Sequence, residues 1–219
     1  MTLLLHGVVR AGHPSTHRMV TWEDLAVVVT DGHADQDAHL ALLAELVLAG
    51  PVVPLRYGTT AAGEDAVRTG TLAAAAPRLR AELDRLDGLV ELHAYLRFNE
   101  DEALQAMFDE QWRGDLDPST DVRLGEHVAH RLVAWRRARS DALLSPISAA
   151  ARAEVRLPDR DHTEERRAFL LPHKEVDPAR AVIGALRILA GVDTECVGPL
   201  PAYNFLTEPA ETPSSGSCR

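Results

Sequence analysis

The sequence predicts an α+β protein with two domains, of which the C-terminal one is ferredoxin-like (split βαβ) with a long helix. Short apolar runs typical of strands alternate with segments in which apolar residues recur every three or four positions. From Leu89 onward the order is strand, helix, strand, strand, helix, strand, which is the order of a split βαβ unit. The length of 219 residues suffices for one large domain or two smaller ones.

The N-terminal half is predicted to contain strands and two helical segments. The predicted elements are strands Leu3–Val9, Leu25–Thr30 and Val52–Tyr57, and helices Asp35–Leu48 and Ala62–Arg85. The second helix is expected to break near Gly70 or Pro77. Pro54 removes a ladder donor from the third strand, so we expect an edge strand or a bulge there. The apolar side of the first helix is expected to consist of Ala38, Leu42, Leu46 and Ala49, widened by Leu43 and Val47.

The C-terminal half contains the most regular strand pattern, at Leu89–Phe98, where apolar and polar side chains alternate. The other predicted elements are strands Ala153–Leu157, Ala168–Leu171 and Val192–Val197, and helices Glu100–Gln111, Val122 to about Leu144 with a resumption after Pro146, and Pro178–Ala190. A loop is predicted over residues 114–120. We therefore predict an N-terminal α+β domain over residues 1–87, a C-terminal ferredoxin-like domain over residues 88–206 and a disordered tail over residues 207–219.

Charge and composition exclude several classes of partner. The formal net charge is −10, from 23 basic and 33 acidic side chains. An acidic chain is repelled by phosphate backbones and anionic lipid surfaces, so we expect neither a nucleic-acid nor a membrane partner. No apolar run reaches the roughly 18 residues of a membrane span, and the first residues lack a secretory pattern. The two cysteines have neither disulfide nor metal spacing, which favours a cytoplasmic protein.

The residues that could carry chemistry form no recognised catalytic or metal-binding motif. The pairs His13/His17 and His127/His130 have helical spacing but no third ligand fixed by the sequence, so we interpret them as surface histidines. Nucleophile elbows and glycine-rich phosphate loops are absent. The adjacent acids Glu164 and Glu165 are interpreted as solvated charges. We predict no enzymatic activity, no metal and no cofactor.

Two proline-containing segments remain unexplained by core packing. Pro51–Thr59 is a strand with two prolines that ends in a polar turn, and Gly198–Leu206 presents Tyr203 and Phe205 at alternate positions. Prolines fix an extended backbone, and a preformed segment that carries aromatics can dock into a groove at low entropic cost. The alternative is that Tyr203 and Phe205 pack back onto their own domain.

These segments resemble the gas vesicle protein F/L family. The family's L-Y-G-I-V and P-V-R-F-G-T strands are similar to Leu5–Val9 and Pro54–Thr59, and its A-Y-L-V-P strand is similar to Ala168–Pro172. The family's G-P-W-P-P-Y-S-F segment resembles Gly198–Phe205, which is the most specific match. Departures are Leu200 and Ala202 in place of a tryptophan and a proline. A further departure is the element that begins at Gly125, which lacks the family's aromatic residue.

The resemblance implies an accessory protein of gas vesicle assembly, located in the cytoplasm and associated with gas vesicles. It implies binding to the hydrophobic major shell protein and contacts with other gas vesicle accessory proteins. A soluble acidic partner could cover an apolar patch or a strand edge of that protein until assembly. The candidate partner-binding residues are Pro54, Arg56, Tyr57, Gly58, Gly198, Pro199, Pro201, Tyr203 and Phe205.

Two other functions stay open at the level of sequence. A ferredoxin-like small-molecule-binding or regulatory domain would require a preformed pocket with convergent polar groups. An enzyme of the kind found among monooxygenase-like ferredoxin dimers could work with few signature residues.

Overall fold

The computed structural model describes residues 2–32, 35–111, 121–161, 163–188 and 192–207. These residues form an α+β structure with two separate antiparallel sheets, one in each half of the chain. None of the described helices combines the length and the apolarity that crossing a membrane requires.

The first sheet contains five strands, and three helices belong to the same half. The elements are β1 (Leu3–Arg10), β2 (Met19–Trp22), β3 (Leu25–Asp31), α1 (Gln36–Ala49), β4 (Val53–Pro54), β5 (Thr60–Ala61), α2 (Glu64–Ala66) and α3 (Ala74–Arg85). The strand order is β2-β3-β1-β4, and β5 also pairs with β1. A π-helical segment, Val67–Ala73, joins α2 to α3.

The edge position expected for Pro54 is confirmed, because β4 is the last strand in the order. The strand predicted over Val52–Tyr57 is too long, since its only paired residues are Val53 and Pro54 of β4, and Tyr57 lies in a turn. The short strands β2 and β5 were not predicted. The break near Gly70 corresponds to the π-helical segment, whereas the helix continues through Pro77.

Helix α1 begins at a side-chain cap. The Asp35 carboxylate accepts hydrogen bonds from the backbone N–H groups of Asp37 and Ala38, at 3.0 and 3.3 Å. The buried side of α1 is rotated from the predicted one, because Ala38 and Ala49 are exposed. The side chains that it buries are His39, Leu42, Leu43, Leu46 and Val47.

The second sheet has four strands in the order β7-β8-β6-β9, and every pair is antiparallel. The elements of this half are β6 (Leu89–Phe98), α4 (Glu100–Gln111), α5 (Asp121–Ala150), β7 (Ala153–Arg156), β8 (Glu164–Pro172), α6 (Val176–Leu186) and β9 (Val192–Leu200). Helix α5 packs against β8 and α6, and α6 packs against β9.

Most predicted elements of this half are confirmed. Strand β6 and helix α4 have the predicted ends. Helix α5 runs through Pro146 without a break, and β8 begins at Glu164, four residues before its predicted start. The predicted loop over residues 114–120 and the tail from residue 208 lie outside the described residues.

The interpretation of Glu164 and Glu165 as solvated charges is wrong. Both lie in β8 and are 4% and 1% exposed. The Glu165 carboxylate lies 3.0 Å from Arg156 Nη1 and 3.3 Å from Arg167 Nε, and Arg136 of α5 is buried beside it. Because the strand starts earlier than predicted, alternate charged side chains face the helix. Nearby arginines offset the cost of burying the carboxylate.

The largest buried apolar cluster combines residues from both halves of the chain. From the first half it includes Val9, Val28, Leu43 and Leu46, and from the second half Leu92, Phe98, Phe169 and Ile183. A second cluster lies between the first sheet and α3. The two sheets therefore share apolar packing, although no strand pairing among the described residues joins them.

Gly198 occupies a position that only glycine fits. Its φ is +141°, which is strained for any residue with a side chain. A Cβ atom at this position would lie 2.8 Å from the Glu91 carbonyl oxygen and 3.0 Å from Leu92 Cδ1. The close approach lies where the register of the β6–β9 pairing shifts, between the pairs His93–Val197 and Glu91–Leu200.

We therefore expect Gly198→Ala to lower the free energy of unfolding by about 1–3 kcal/mol, measured by chemical denaturation. The matched control is Gly184→Ala on α6, where a Cβ meets no atom within 4 Å. That control should be neutral or stabilising by up to about 1 kcal/mol, as for other helix positions. Equal stability of the two variants would contradict the requirement for glycine at position 198.

Candidate functional site

The two proline-containing segments meet on one side chain of α1. The His39 ring contacts the Tyr57 ring edge to face, with centroids 5.6 Å apart. His39 Nε2 lies 3.1 Å from the Tyr203 hydroxyl oxygen. The structure therefore brings together residues that are 146 positions apart in the sequence, Tyr57 and Tyr203, through a histidine that the sequence analysis did not select.

A bulge in β1 supplies a second histidine to the same place. The pairing of β1 with β3 shifts register between Leu5 and Gly7, so His6 is the extra residue. His6 Nδ1 lies 2.9 Å from His39 Nδ1, and His6 Nε2 lies 2.8 Å from Thr30 Oγ1. The bulge thus aims a polar side chain towards α1.

These contacts form one continuous chain of hydrogen bonds. The Leu55 carbonyl oxygen can only accept, and the Tyr203 hydroxyl lies 3.4 Å from it. If Tyr203 donates to Leu55, then His39 Nε2–H donates to Tyr203 and His6 Nδ1–H donates to His39. Thr30 then donates to His6 Nε2. We infer this direction because it gives each imidazole one donor and one acceptor, so both rings are neutral.

Burial keeps the two imidazoles and the Tyr203 hydroxyl of this hydrogen-bonded chain uncharged at neutral pH. Burial, together with the smaller effects of the neighbouring His39 and His17, lowers the pKa of His6 to about 4. Burial also lowers the pKa of His39. Burial and the nearby Glu91 carboxylate raise the pKa of Tyr203 to about 12. A proton added to His39 Nδ1 would place two N–H groups opposite each other, whereas one added to His6 Nε2 would face the Thr30 hydroxyl.

The segment after β9, residues 201–206, is hereafter the closing segment. The Glu91 carboxylate, 1% exposed, accepts from the backbone N–H of Asn204 at 2.9 Å and from its side-chain amide at 2.5 Å. The His93 imidazole also contacts this carboxylate. Strand β6 therefore fixes the middle of the closing segment with a buried charge.

Arginine side chains hold the two ends of this region. Arg85 Nη2 donates to the Phe205 carbonyl oxygen at 2.5 Å, and Arg180 donates to the Gly198 carbonyl oxygen. Ala202 is buried in a small apolar cluster with Leu86 and Leu170, to which other side chains add. The closing segment is thus attached to α3, β6 and β8.

The nine candidate partner-binding residues differ in exposure. Pro54 and Pro201 are buried, and Gly198, Pro199, Tyr203 and Phe205 are half-buried. Arg56, Tyr57 and Gly58 are exposed, and the Tyr57 side chain is 41% exposed. Tyr203 and Phe205 pack against other parts of their own chain, which was the alternative to docking into a partner's groove. Partner binding by the nine residues stays a prediction.

The histidines show where sequence reasoning was wrong. His13, interpreted as a surface residue, is 8% exposed, and its Nε2 lies 3.2 Å from the Leu46 carbonyl oxygen. His39 is 2% exposed and was not selected from the sequence. Its position four residues before Leu43 places it on the buried side of α1, and this spacing could have predicted its burial. Within the described part of the chain, no group of three or more metal-ligating side chains could hold a metal ion.

The fold and the site together define an α+β protein of two antiparallel sheets, whose closing segment attaches to both halves. Residues 6–207 match the family model described as gas vesicle synthesis protein GvpL/GvpF. Because this match covers nearly the whole chain, the protein belongs to the GvpL/GvpF family.

Individual relatives agree with this assignment. The chain is 30% identical over 181 residues to gas vesicle protein L2 of Halobacterium salinarum, a match that covers 71% of this chain. The same match spans 64% of that protein's length.

Two solved structures show the same fold. They are the crystal structures of gas vesicle protein GvpF from Anabaena, with a TM-score of 0.79 and 16% identity, and from Microcystis aeruginosa, with 0.74 and 13%. Each alignment covers 94% of this chain, and 96% and 99% of the respective relative.

Removing one hydroxyl tests the contact between the halves. Tyr203→Phe deletes the group that meets His39 and Leu55 and leaves a buried imidazole N–H without its acceptor. We expect a loss of about 1–2 kcal/mol in the free energy of unfolding, measured by urea titration. Tyr57→Phe, which keeps the ring contact at an exposed position, should change stability by less than about 0.5 kcal/mol. Similar losses in both variants would contradict the assigned contact.

The buried histidines predict a loss of stability in mild acid. Unfolded His6 regains its ordinary pKa of 6.5, whereas folded His6 stays neutral down to about 4. The unfolded chain therefore binds protons first as the pH falls. We expect His6 to reduce the free energy of unfolding by about 1–2 kcal/mol between about pH 7.5 and pH 5.

The comparison is between pH dependences, not absolute stabilities. His6→Gln should flatten the decline in urea-measured stability, and His173→Gln, at an exposed position, should leave it unchanged. A decline equally steep in wild type and His6→Gln would show that His6 is not the group responsible.

Proposed function

We propose that this protein is a non-enzymatic accessory protein of gas vesicle assembly that binds the hydrophobic shell protein and supports vesicle formation. The observation that carries the proposal is the match of residues 6–207 to the gas vesicle synthesis family. The acidic chain, with a formal net charge of −10, supports a protein partner over nucleic acid or an anionic membrane. A cytoplasmic location beside gas vesicles follows from this role.

The proposed contact surface is the exposed turn Arg56–Gly58 with the neighbouring part of the closing segment. Tyr57 offers an aromatic ring held in place by His39, so binding would order few additional groups. Pro54 keeps β4 at the sheet edge, where an extended partner could add. The buried residues Pro54 and Pro201 would support this surface from below.

We further propose the division into residues 1–87 and a ferredoxin-like unit over residues 88–206. Two observations support it: each half contributes all the strands of one sheet, and the strand order β7-β8-β6-β9 with its two helical connections suits a split βαβ unit. Gly88, with φ of +68°, provides the turn between α3 and β6.

The alternative, a small-molecule-binding or regulatory domain, would require a pocket such as the one on the second sheet. A cavity of about 260 Å³ opens on the second sheet and is lined by Tyr95, Arg97, Glu164, Arg187, Asp193, Thr194 and Glu195. Ligand pockets are usually larger, at about 300–1,000 Å³, and mostly apolar. The three acidic side chains and two arginines that line this small cavity are more suited to pairing with one another than to binding a ligand. The cavity therefore gives little support to the small-molecule alternative and favours the accessory role.

Co-expression with the major gas vesicle shell protein tests the role and the surface. We expect the tagged protein to capture soluble shell protein, and the double variant Arg56→Glu/Tyr57→Asp to lose most of this capture. Both positions are exposed, so the fold should persist, as circular dichroism would verify.

The matched control is Val155→Asp, another partly exposed apolar position, 37% exposed, on the edge strand of the second sheet. It should capture shell protein as the wild type does. Capture that is unaffected by the double variant would keep the role and reject the surface. Absence of capture by the wild type would reject shell-protein binding and direct attention to the cavity on the second sheet.

A further inference from the structure

Helix α1 has an apolar outer surface that the rest of the described chain leaves uncovered. Leu48 is 61% and Leu40 is 45% exposed. Ala41 is exposed and Ala44 half-buried between them, so the four side chains follow the spacing of one helical stripe. Contiguous exposed apolar patches that are rimmed by polar residues often mark contacts with other molecules. The outer stripe of α1 therefore suits a contact with another molecule.

A groove continues this stripe at the C-terminal end of α1. Leu48 lines it together with Pro51, Leu89 and His173, and the cavity measures about 180 Å³. The groove lies where the two halves of the chain meet, beside the turn at Gly88. It offers a recess for one side chain of a partner that lies along the stripe.

The charges around this surface are acidic. Asp37 and Glu45 border the stripe, and Asp87 lies at the groove. Neither α1 nor the groove lining contains a lysine or an arginine. Basic groups nearby include His17, 3.1 Å from Glu45, the buried His13 beside Gly50, and His173, with Lys174 next to it in sequence. A partner with cationic flanks is therefore complementary.

Other occupants fit less well. In an antiparallel pairing of two α1 helices, Asp37 and Glu45 of the two copies would face each other, which disfavours a second copy of this chain. Residues 208–219 contain two glutamates and one arginine, and no leucine, isoleucine, valine, methionine or aromatic residue to cover the stripe. The hydrogen-bonded backbone of α1 has no strand edge to extend, so the ridges of its side chains suit another helix.

We propose that the outer stripe of α1 and the groove at its C-terminal end bind an amphipathic helix of another protein, whose apolar face is bordered by lysine or arginine side chains. Such a helix would insert one large apolar side chain into the groove. Its flanking cations would pair with Asp37, Glu45 and Asp87. The surface is separate from the Arg56–Gly58 turn of the proposed function.

Synthetic peptides test this chemistry on the purified full-length protein. One fluorescently labelled peptide carries leucines on one helical face and lysines beside them, and its counterpart has glutamates in place of the lysines. We expect the leucine–lysine peptide to bind, measured by fluorescence anisotropy, and the glutamate counterpart to bind at least about ten-fold more weakly. Binding should weaken as salt is raised.

Neutral variants separate apolar docking from general attraction to an acidic protein. Leu40→Ser/Leu48→Ser keeps the net charge and should weaken binding by about ten-fold or more. The control is Ile188→Ser, because Ile188 is 88% exposed and lies outside the stripe and the groove. This substitution should change peptide binding by less than about two-fold.

Three results would overturn the proposal. They are equal binding to the wild type and the double-serine variant, equal binding of the two peptides, and a wild-type dimer in sedimentation that the double-serine variant lacks. The last would assign the stripe to a second copy of this chain. The test uses no gas vesicle shell protein, so its outcome is independent of the proposed function.

Discussion

The hydrogen-bonded chain that runs through His39 is the constraint on which the arrangement of the two halves depends. His39 on α1 contacts His6 of the first sheet on one side and Tyr203 of the closing segment on the other. The same closing segment is held by the buried Glu91 carboxylate of the second sheet. A buried polar group without a partner is costly, so each of these contacts restricts the others to one geometry. The shared apolar cluster then packs around a fixed orientation.

This constraint gives the closing segment a structural role beside its proposed role in binding. Pro201 and Ala202 are buried, and Tyr203 faces His39, so much of the segment serves the fold. The exposed turn at Arg56–Gly58, which is the proposed contact surface, lies beside it. A surface of this kind is positioned by its own protein before a partner arrives, which lowers the entropic cost of binding.

The sequence predicted the elements where a single periodicity dominates. In β6, alternating side chains gave both ends of the strand, and Pro54 indicated an edge strand because it lacks a ladder donor. Prediction was wrong where long-range contacts decide the outcome. Local sequence suggests that Glu165 is a solvated charge, but in the fold it is buried beside Arg156 and Arg167. Local sequence suggests that His6 is a regular strand residue, but a bulge turns its side chain towards α1. Neither the bulge nor the contacts of Tyr57 and Tyr203 with the same histidine, His39, can be obtained from local spacing.

The most direct test of the account is native-state hydrogen exchange on the central strands of the two sheets, β3 and β6. If the contacts through His39 and the shared apolar cluster couple the halves, amides of Val27 and Leu92 should exchange with the same free energy of opening, equal to that of global unfolding. If the first half exchanges at a clearly lower free energy while the second stays protected, the halves open separately, and the claim that the closing segment joins them into one cooperative unit is wrong.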